Sequence, residues 1–572
     1  MDTIPSSEWT AVDTDDLETT DRSTDERIFT CGPPDSTEDV DVSISTENIL
    51  SSTTAYSPSD HPIHVEVCVS QFSVETFAVI EARVVEFLRS LGPRHVPTTL
   101  NNCENHFTSI NPEILNQQTG DFLQRCVTSI SILLDEADGE NGYDASRSVD
   151  LRTVPLLVHV YQLVSGDEAF PIHETFEVGS ETVNGGTVWL LPSMEMHGLW
   201  ESLIFDSDIK LSLLGYAQTA LLFADRQVCT SIIAWNRVVL LYGPPGTGKT
   251  SLCRALANKL AIRMADRYTS TKLIELNTMN LMSKWFSESA RLVARMFDAV
   301  KEYLESPDHL VCLLVDEVES LTAVRNSAMS GCEPSDAIRV VNAVLTQIDQ
   351  IKRYPNVLVL ATSNVTGVID PAFLDRADVR LYIGPPSAPA IYTIYRSCLT
   401  ELVRVGLLKP DNEGLLSYRA VAAMQRSENK MNSLSLELWR LSERSVGLNG
   451  RTLRKMPLLA HAFHLTKVNP GLRSSVSFSG RLHLPMCHST STLQSGPIYS
   501  IHAPVGQPDA RSTVSLSMFL QALRLTIESQ FNELKSLDLA SSEVGRLRSL
   551  RPRIERHNNS PAELRLDMNG DR

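Results

Sequence analysis

The chain of 572 residues has no run approaching the ~20 apolar residues that a helix needs to cross a bilayer, which excludes an integral α-helical membrane protein. Its N-terminus is acidic and lacks the basic-then-apolar order of a signal peptide. The ten cysteines are scattered from Cys31 to Cys487, with no Cys-x-x-Cys pair and no His nearby at zinc spacing. They read as reduced thiols of an intracellular protein, so the expected compartments are nucleus and cytosol. Positive charge is also short: Lys+Arg 51 stands against Asp+Glu 69, a net of −18. A dedicated nucleic-acid binder needs a basic stripe to displace counterions from phosphates; the five Arg between Arg546 and Arg556 read as a solvated tail rather than as such a patch. No direct nucleic-acid partner and no membrane partner are expected. No internal repeat is visible.

The negative charge is unevenly placed. Residues 1–60 hold 15 acids against Arg22 and Arg27, together with 21 Ser or Thr, while the other 512 residues are close to neutral. Such a segment cannot bury enough apolar surface to offset its ordering entropy, so 1–60 is expected to be a disordered acidic tail. From His61 the texture changes. His64–Val69 alternates like a strand, Phe77–Leu91 has helical spacing, and Val127–Leu134 and Val154–Leu163 are apolar runs. These predict a compact α+β N-terminal domain over 61–195.

Strands and helices alternate from about Met196. Strands are predicted at Arg237–Tyr242 and Leu273–Leu276, with buried strands at Leu310–Val315, Val357–Thr362 and Val379–Ile383. Helices are predicted at Thr250–Leu260 and Ser287–Val300, the latter with Leu292, Val293, Met296, Phe297 and Val300 on one face. The pattern predicts an α/β fold over 196–384, a parallel sheet with helices on both faces. Beyond it, 385–535 reads as helical. Within that region 467–512 has 11 Ser/Thr, five Pro and four Gly in 46 residues, the composition of a flexible insertion between helices Pro457–Leu465 and Val514–Leu534. Residues 536–572 read as a tail.

The sharpest signal is Gly243-Pro244-Pro245-Gly246-Thr247-Gly248-Lys249-Thr250, which fits G-x-x-x-x-G-K-[ST] between an apolar strand and a helix. Gly246 and Gly248 let backbone N–H groups turn around phosphate oxygens, backed by the helix N-terminus. Lys249 reaches the β- and γ-phosphates, and the Thr250 hydroxyl is a Mg²⁺ ligand. About 65 residues later, Cys312–Val315 ends in Asp316-Glu317. An acidic pair at a strand end is often a solvated edge. After such a phosphate loop, Asp316 reads as a Mg²⁺ holder and Glu317 as the general base for an attacking water. Asn364, at the end of the next buried strand, reads as a polar sensor of that water or the γ-phosphate. The expected ligands are therefore ATP and Mg²⁺.

This order of motifs resembles the AAA+ ATPases: Walker A, Walker B, sensor 1, an Arg after the next helix, then a helical lid. The likeness narrows to the pachytene checkpoint protein 2 family at Ser283-Lys-Trp-Phe-Ser-Glu-Ser289, Asp316-Glu-Val-Glu-Ser-Leu321, Glu333–Lys352 and Gly450-Arg-Thr-Leu-Arg-Lys455, with His197-Gly-Leu-Trp-Glu201 as the best N-terminal match. It covers about 61–466 and 513–535.

The resemblance implies a P-loop AAA+ module with its lid behind a substrate- and adaptor-docking N-terminal domain. It also implies a homohexamer that uses ATP to convert HORMA-domain proteins, presented by a HORMA-like adaptor, from a closed to an open conformation. The settings it implies are spindle checkpoint silencing and meiotic chromosome and recombination control, with association to meiotic chromosomes. Lys284, Trp285 and Phe286 fall at the substrate pore loop. From the residues alone, Trp285 and Phe286 fit the core equally well. Arg451 falls at sensor 2 and Arg376 at the arginine finger. Val379 stands where the wider superfamily often carries a second Arg, and Arg380 is adjacent, so the residue acting in trans stays open. Two other classes compete: an ATP-binding ring scaffold without remodelling, and a DNA-acting AAA+ protein such as a clamp loader or helicase. An intact Glu317 and a near-neutral folded region weigh against them.

Overall fold

The computed structural model describes residues 62–90, 93–94, 99–101, 117–133, 149–164, 177–178, 181–182, 186–276, 289–320, 336–364, 369, 371–409, 414–426, 433–465 and 514–549. The expected tail 1–60, the whole of the expected insertion 467–512 and the pore-loop residues Lys284, Trp285 and Phe286 lie outside the described residues.

The N-terminal region builds a four-stranded sheet from β1 (Ile63–Val69), β3 (Thr99–Asn101), β4 (Val127–Leu133) and β6 (Leu156–Gln162), in the order β3-β4-β1-β6. Two short two-stranded pieces are separate from it: β2 (Pro93–Arg94) with β5 (Val149–Asp150), and β7 (Glu177–Val178) with β8 (Glu181–Thr182). β1 runs antiparallel to β4 and parallel to β6. The helix Phe77–Ser90 buries Ile80, Val84, Phe87 and Leu88, spaced as one helical stripe, against Val65, Val67 and Ile130.

The opposite face of β1 is also buried, although it carries Glu66. Helix Lys249–Arg263 covers it, with Ile262 packed on Cys68 and Tyr161. Glu66 Oε2 receives Lys259 Nζ at 2.6 Å and Glu66 Oε1 receives Arg263 Nε at 2.8 Å. All three side chains are at most 6% exposed. Lys259 also reaches Glu201 at 3.2 Å and lies over the Trp200 ring. A buried charge needs such pairing, so these contacts fix how the N-terminal sheet sits on the helix.

The central sheet has six strands: β9 (Gly186–Leu191), β10 (Val238–Tyr242), β11 (Ser270–Leu276), β12 (His309–Val315), β13 (Val357–Ser363) and β14 (Val379–Tyr382). Their order is β14-β10-β13-β12-β11-β9. All pairs are parallel except β11–β9. β9 precedes the expected boundary at 196, yet it is hydrogen-bonded into this sheet. β14, read from composition as a buried strand, is instead an edge strand with Arg380 and Tyr382 exposed. An edge strand has solvent on one side, and its alternating polar residues suit that position.

Successive residues of β10 feed opposite cores. Val238 and Leu240 pack with Val293, Met296, Phe297, Val341, Val344 and Ile348 of helices Ser289–Leu304 and Asp336–Ile351. Val239 and Leu241 pack with Leu213, Leu221, Leu252, Leu256 and Leu260 of helices Ile209–Asp225 and Lys249–Arg263. Each such fully buried Leu or Val contributes about 1.5–3 kcal/mol, which is why the central strands are apolar on both faces.

The helical region forms a separate core from Ala388–Arg404, Ser433–Arg444, Gly450–Leu459 and Leu516–Ser549, with Tyr392, Tyr395, Leu453, Met456, Phe519 and Leu523 inside. The last helix enters through Val514, whose carbonyl accepts from Lys409 N at 2.9 Å. Among the described residues, no helix is long and apolar enough to cross a membrane.

Candidate active site

The strand ends of β10, β12 and β13 converge. β10 ends at Tyr242, so Gly243 begins the loop beside Ser363, whose carbonyl accepts from Gly243 N at 3.2 Å. Gly246 has φ +79°, in the left-handed region that glycine tolerates. A Cβ there would lie 2.8–3.0 Å from the side chain of Asn449. The turn thus brings Gly246 against the start of the helix Gly450–Leu459. Asn449 caps that helix by accepting from Thr452 N at 2.8 Å, and Arg451 N donates to Gly246 O at 3.0 Å.

Lys249 is buried, and its Nζ donates to the carbonyls of Gly243 at 2.9 Å and Pro244 at 2.8 Å. Burial pulls its pKa below the ordinary lysine value; the carboxylates of Glu319, Asp316 and Glu317 oppose that, and Arg451 adds to the lowering. Thr250 Oγ1 donates to Asp316 Oδ1 at 2.9 Å. Asp316 follows the last residue of β12, and Glu317 turns the chain with φ +56°. Asn364 Nδ2 lies 3.3 Å from Glu317 Oε1, and Asn364 N donates to Glu319 Oε1 at 3.0 Å.

Lys249, Thr250, Asp316, Glu317 and Asn364, far apart in sequence, therefore meet at one place. Arg451 joins them by its backbone and its charge, with an exposed side chain. Arg376 does not. Its Nε lies 3.0 Å from Asp349 Oδ1 and its Nη2 2.7 Å from Oδ2, while Nη1 donates to Ala372 O at 2.6 Å. Burial alone raises the Asp349 pKa, but Arg376 and Lys352 outweigh it and hold the carboxyl below its ordinary range. Nearby Asp378 accepts from Tyr216 Oη at 2.7 Å and Arg237 N at 2.7 Å, tying the Arg376 segment to the start of β10.

Several residues at the site carry no sequence signal of their own. A cavity of about 240 Å³ adjoins Thr247 and Gly450 and is lined by Ile204, Phe205, Asp206, Tyr382, Ile383 and Ile394. Asp206 also accepts from Ser387 N at 2.9 Å, the N-cap of the first lid helix. Thr362, Glu319 and Asn449 touch the expected catalytic and loop residues directly. Thr362 and Glu319 stand two positions before Asn364 and two after Glu317, a proximity that was the available clue.

The chain matches three family models in sequence. These are "TRIP13 N-terminal domain" at residues 58–166, "ATPase family associated with various cellular activities (AAA)" at 239–385, and "TRIP13-like, AAA+ ATPase lid C-terminal domain" at 387–478. It is 46% identical over 422 residues to the pachytene checkpoint protein 2 homolog of Canis lupus familiaris, covering 74% of this chain and 86% of that protein. The Homo sapiens homolog is 46% identical over 416 residues, covering 73% and 84%. The solved structure of C. elegans PCH-2 superposes with a TM-score of 0.56 at 30% identity, covering 82% of this chain and 99% of that one. With a phosphate loop, an acidic pair and a polar strand end already assembled, the chain belongs to the pachytene checkpoint protein 2 family and is an AAA ATPase.

Proposed function

We propose that this chain is a protein-remodelling ATPase that opens closed HORMA-domain proteins, working as a homohexamer with a HORMA-like adaptor. The observation that carries the enzymatic half is Glu317 within 3.3 Å of Asn364 at the strand ends facing the phosphate loop. A nucleotide-dependent scaffold has no need of that carboxylate. The remodelling half rests on family membership.

The residues fit a nucleoside triphosphate. Gly243–Thr250 wrap the phosphates, and Lys249 leaves its carbonyl partners to neutralise them. The cavity beside Thr247 takes the base. Thr250 and Asp316, already joined at 2.9 Å, offer a hydroxyl and a carboxylate, the hard oxygen donors that suit Mg²⁺. When bound there, Mg²⁺ supplies charge neutralisation on the phosphate oxygens. Glu317 accepts the proton of the attacking water, and Asn364 holds that water or the γ-phosphate in line. Arg451, on the lid, senses the same subunit's nucleotide. Arg376 reaches the neighbour's, the expected finger, with Arg380 the competing residue. Lys284, Trp285 and Phe286 grip the client in the pore.

In this reading 61–195 docks client and adaptor, except that β9 completes the sheet of the ATPase core carried by 196–384, and 385–535 forms the lid, with 467–512 inserted. The site of action is nucleus and cytosol, including meiotic chromosomes, in checkpoint silencing and recombination control. The test is steady-state ATP hydrolysis with and without a closed HORMA-domain protein plus adaptor, with Glu317→Gln as control. Client-stimulated turnover that vanishes in the variant is the expected result. Turnover indifferent to the client removes the HORMA assignment. Absence of turnover in the parent chain points to the scaffold, and salt-sensitive DNA binding to the nucleic-acid reading.

A further inference from the structure

β13 is buried along its whole length, Val357–Ser363. Within it Thr362 is 1% exposed, and a hydroxyl that deep must have hydrogen-bond partners. The partners it has are unusual. Its Oγ1 donates to Asp316 Oδ1, in a short contact, and accepts from Glu317 N at 3.3 Å. Its backbone carbonyl accepts from Val318 N at 2.9 Å. One threonine therefore engages three successive residues, 316 to 318, on the adjacent strand end.

That segment needs holding. Glu317 has φ +56°, a conformation that non-glycine residues adopt only where surrounding contacts over-determine it. Thr362 binds the N–H groups of Glu317 and of the residue after it, on both sides of the strained Cα. The same hydroxyl shares Asp316 Oδ1 with Thr250, so it also sets the direction of that carboxylate toward the phosphate loop. The hold is returned two residues on, where Glu319 Oε1 accepts from Asn364 N at 3.0 Å. Among the described residues the Glu319 Oε2, also buried, has no hydrogen-bond partner. The two strand ends thus grip each other at both levels, Thr362 on Asp316–Val318 and Glu319 on Asn364.

We propose that Thr362 is a positioning residue for hydrolysis, its hydroxyl fixing Asp316 and Glu317 in their working arrangement without touching nucleotide. The inference deepens the proposed reading of Glu317 as general base and rests on it. Group placement of this kind acts on turnover more than on substrate affinity.

Thr362→Val keeps the shape and the main-chain carbonyl and removes only Oγ1. Thr362→Ser keeps Oγ1 and removes the methyl. The experiment measures ATP turnover and KM of the full chain for both variants, for Thr362→Ala and for Glu317→Gln, with thermal melts of each. Expected is a fall in kcat of about tenfold or more for Val and Ala with KM within about threefold, and turnover within about threefold of the parent for Ser. The magnesium concentration for half-maximal rate rises in Val and Ala but not in Ser.

Parent-like kcat in Thr362→Val beside an inactive Glu317→Gln overturns this inference and leaves the base assignment standing. Full activity in Glu317→Gln removes the base assignment itself. A Ser variant as slow as Val assigns the effect to methyl packing, and failure of both Val and Ala to fold assigns the residue to the core.

Discussion

Arg376 meets Asp349 edge to edge, Nε at 3.0 and 3.1 Å from the two carboxylate oxygens and Nη2 at 2.7 Å from Oδ2. A guanidinium held this way presents a fixed plane, which suits the finger role proposed for Arg376 across a subunit boundary. Asp349→Ala is therefore expected to lower ATP turnover about tenfold, well short of the ~10³-fold loss expected for Arg376→Ala. Binding of nucleotide stays unchanged in both. Because the Asp349 pKa is held below its ordinary value, the pair is intact above that range and is lost only as pH falls through the lowered pKa. The Asp349→Ala deficit is thus the same at pH 6 and pH 8. Parent-like turnover in this variant, with Arg376→Ala inactive, would falsify the positioning role.

The pairing of Glu66 with Lys259 and Arg263 predicts a different kind of loss. Removing one member of a buried charge cluster strands the others, and typically costs about 3–5 kcal/mol. Glu66→Ala leaves two cations buried, with, among the described residues, only Glu201, 3.2 Å from Lys259 and 43% exposed, as an ion-pair partner. Its earliest urea transition moves to lower denaturant. Replacing all three by apolar residues of similar volume restores most of the midpoint. If Glu66→Ala unfolds like the parent, the cluster does not hold the N-terminal sheet to the helix.

Which features were legible in sequence follows from how local their chemistry is. Gly243–Thr250 and Asp316–Glu317 are each contiguous, and their flanking apolar strands carry the α/β pattern. The central strands are buried on both faces and so read directly as apolar runs. Glu66 gives no such signal, because its partners lie 193 and 197 residues away. The cavity beside Thr247 draws on stretches near 204, 247, 383 and 450, brought together only by the fold. β9 was hidden for the same reason, since its partner β11 follows some 80 residues later. Arg376 is singled out by resemblance alone, and its attachment to Asp349 required the packing of Asp336–Ile351 against the sheet.

His159 gives a pH dependence. It lies 3.0 Å from His64 across adjacent strands, stacked on it, and faces the cluster of Glu66, Lys259 and Arg263. Burial, with the positive charges of Arg263, His64 and Lys259, lowers its pKa to about 3. The unfolded chain binds this proton at about 6.5 and the folded chain does not, so between those values the unfolded state holds more protons. The stability that neutral His159 confers is complete above about pH 6.5. It falls as pH drops toward 3, by up to about 1.4 kcal/mol per unit. His159→Gln removes that contribution to the slope. A parent chain whose denaturation midpoint is flat from pH 7 to 4.5 is incompatible with the lowered pKa.

Gly246 carries the last prediction, because two separate constraints act on it. Its φ of +79° strains any L side chain by about 1–2 kcal/mol. A Cβ would also press within 3.0 Å of Asn449, the residue that caps the lid helix. Gly246→Ala must therefore either distort the phosphate loop or push the lid helix off its cap, and each route loosens the nucleotide site. ATP binding is expected to weaken about tenfold, corresponding to about 1.4 kcal/mol. Gly414 is the control that separates strain from crowding. It has φ +61° but open space where the Cβ would go, so Gly414→Ala lowers the melting temperature without changing nucleotide affinity. Equal nucleotide affinity in the two alanine variants would mean that Asn449 yields freely, and that the lid is not keyed to the loop through this contact.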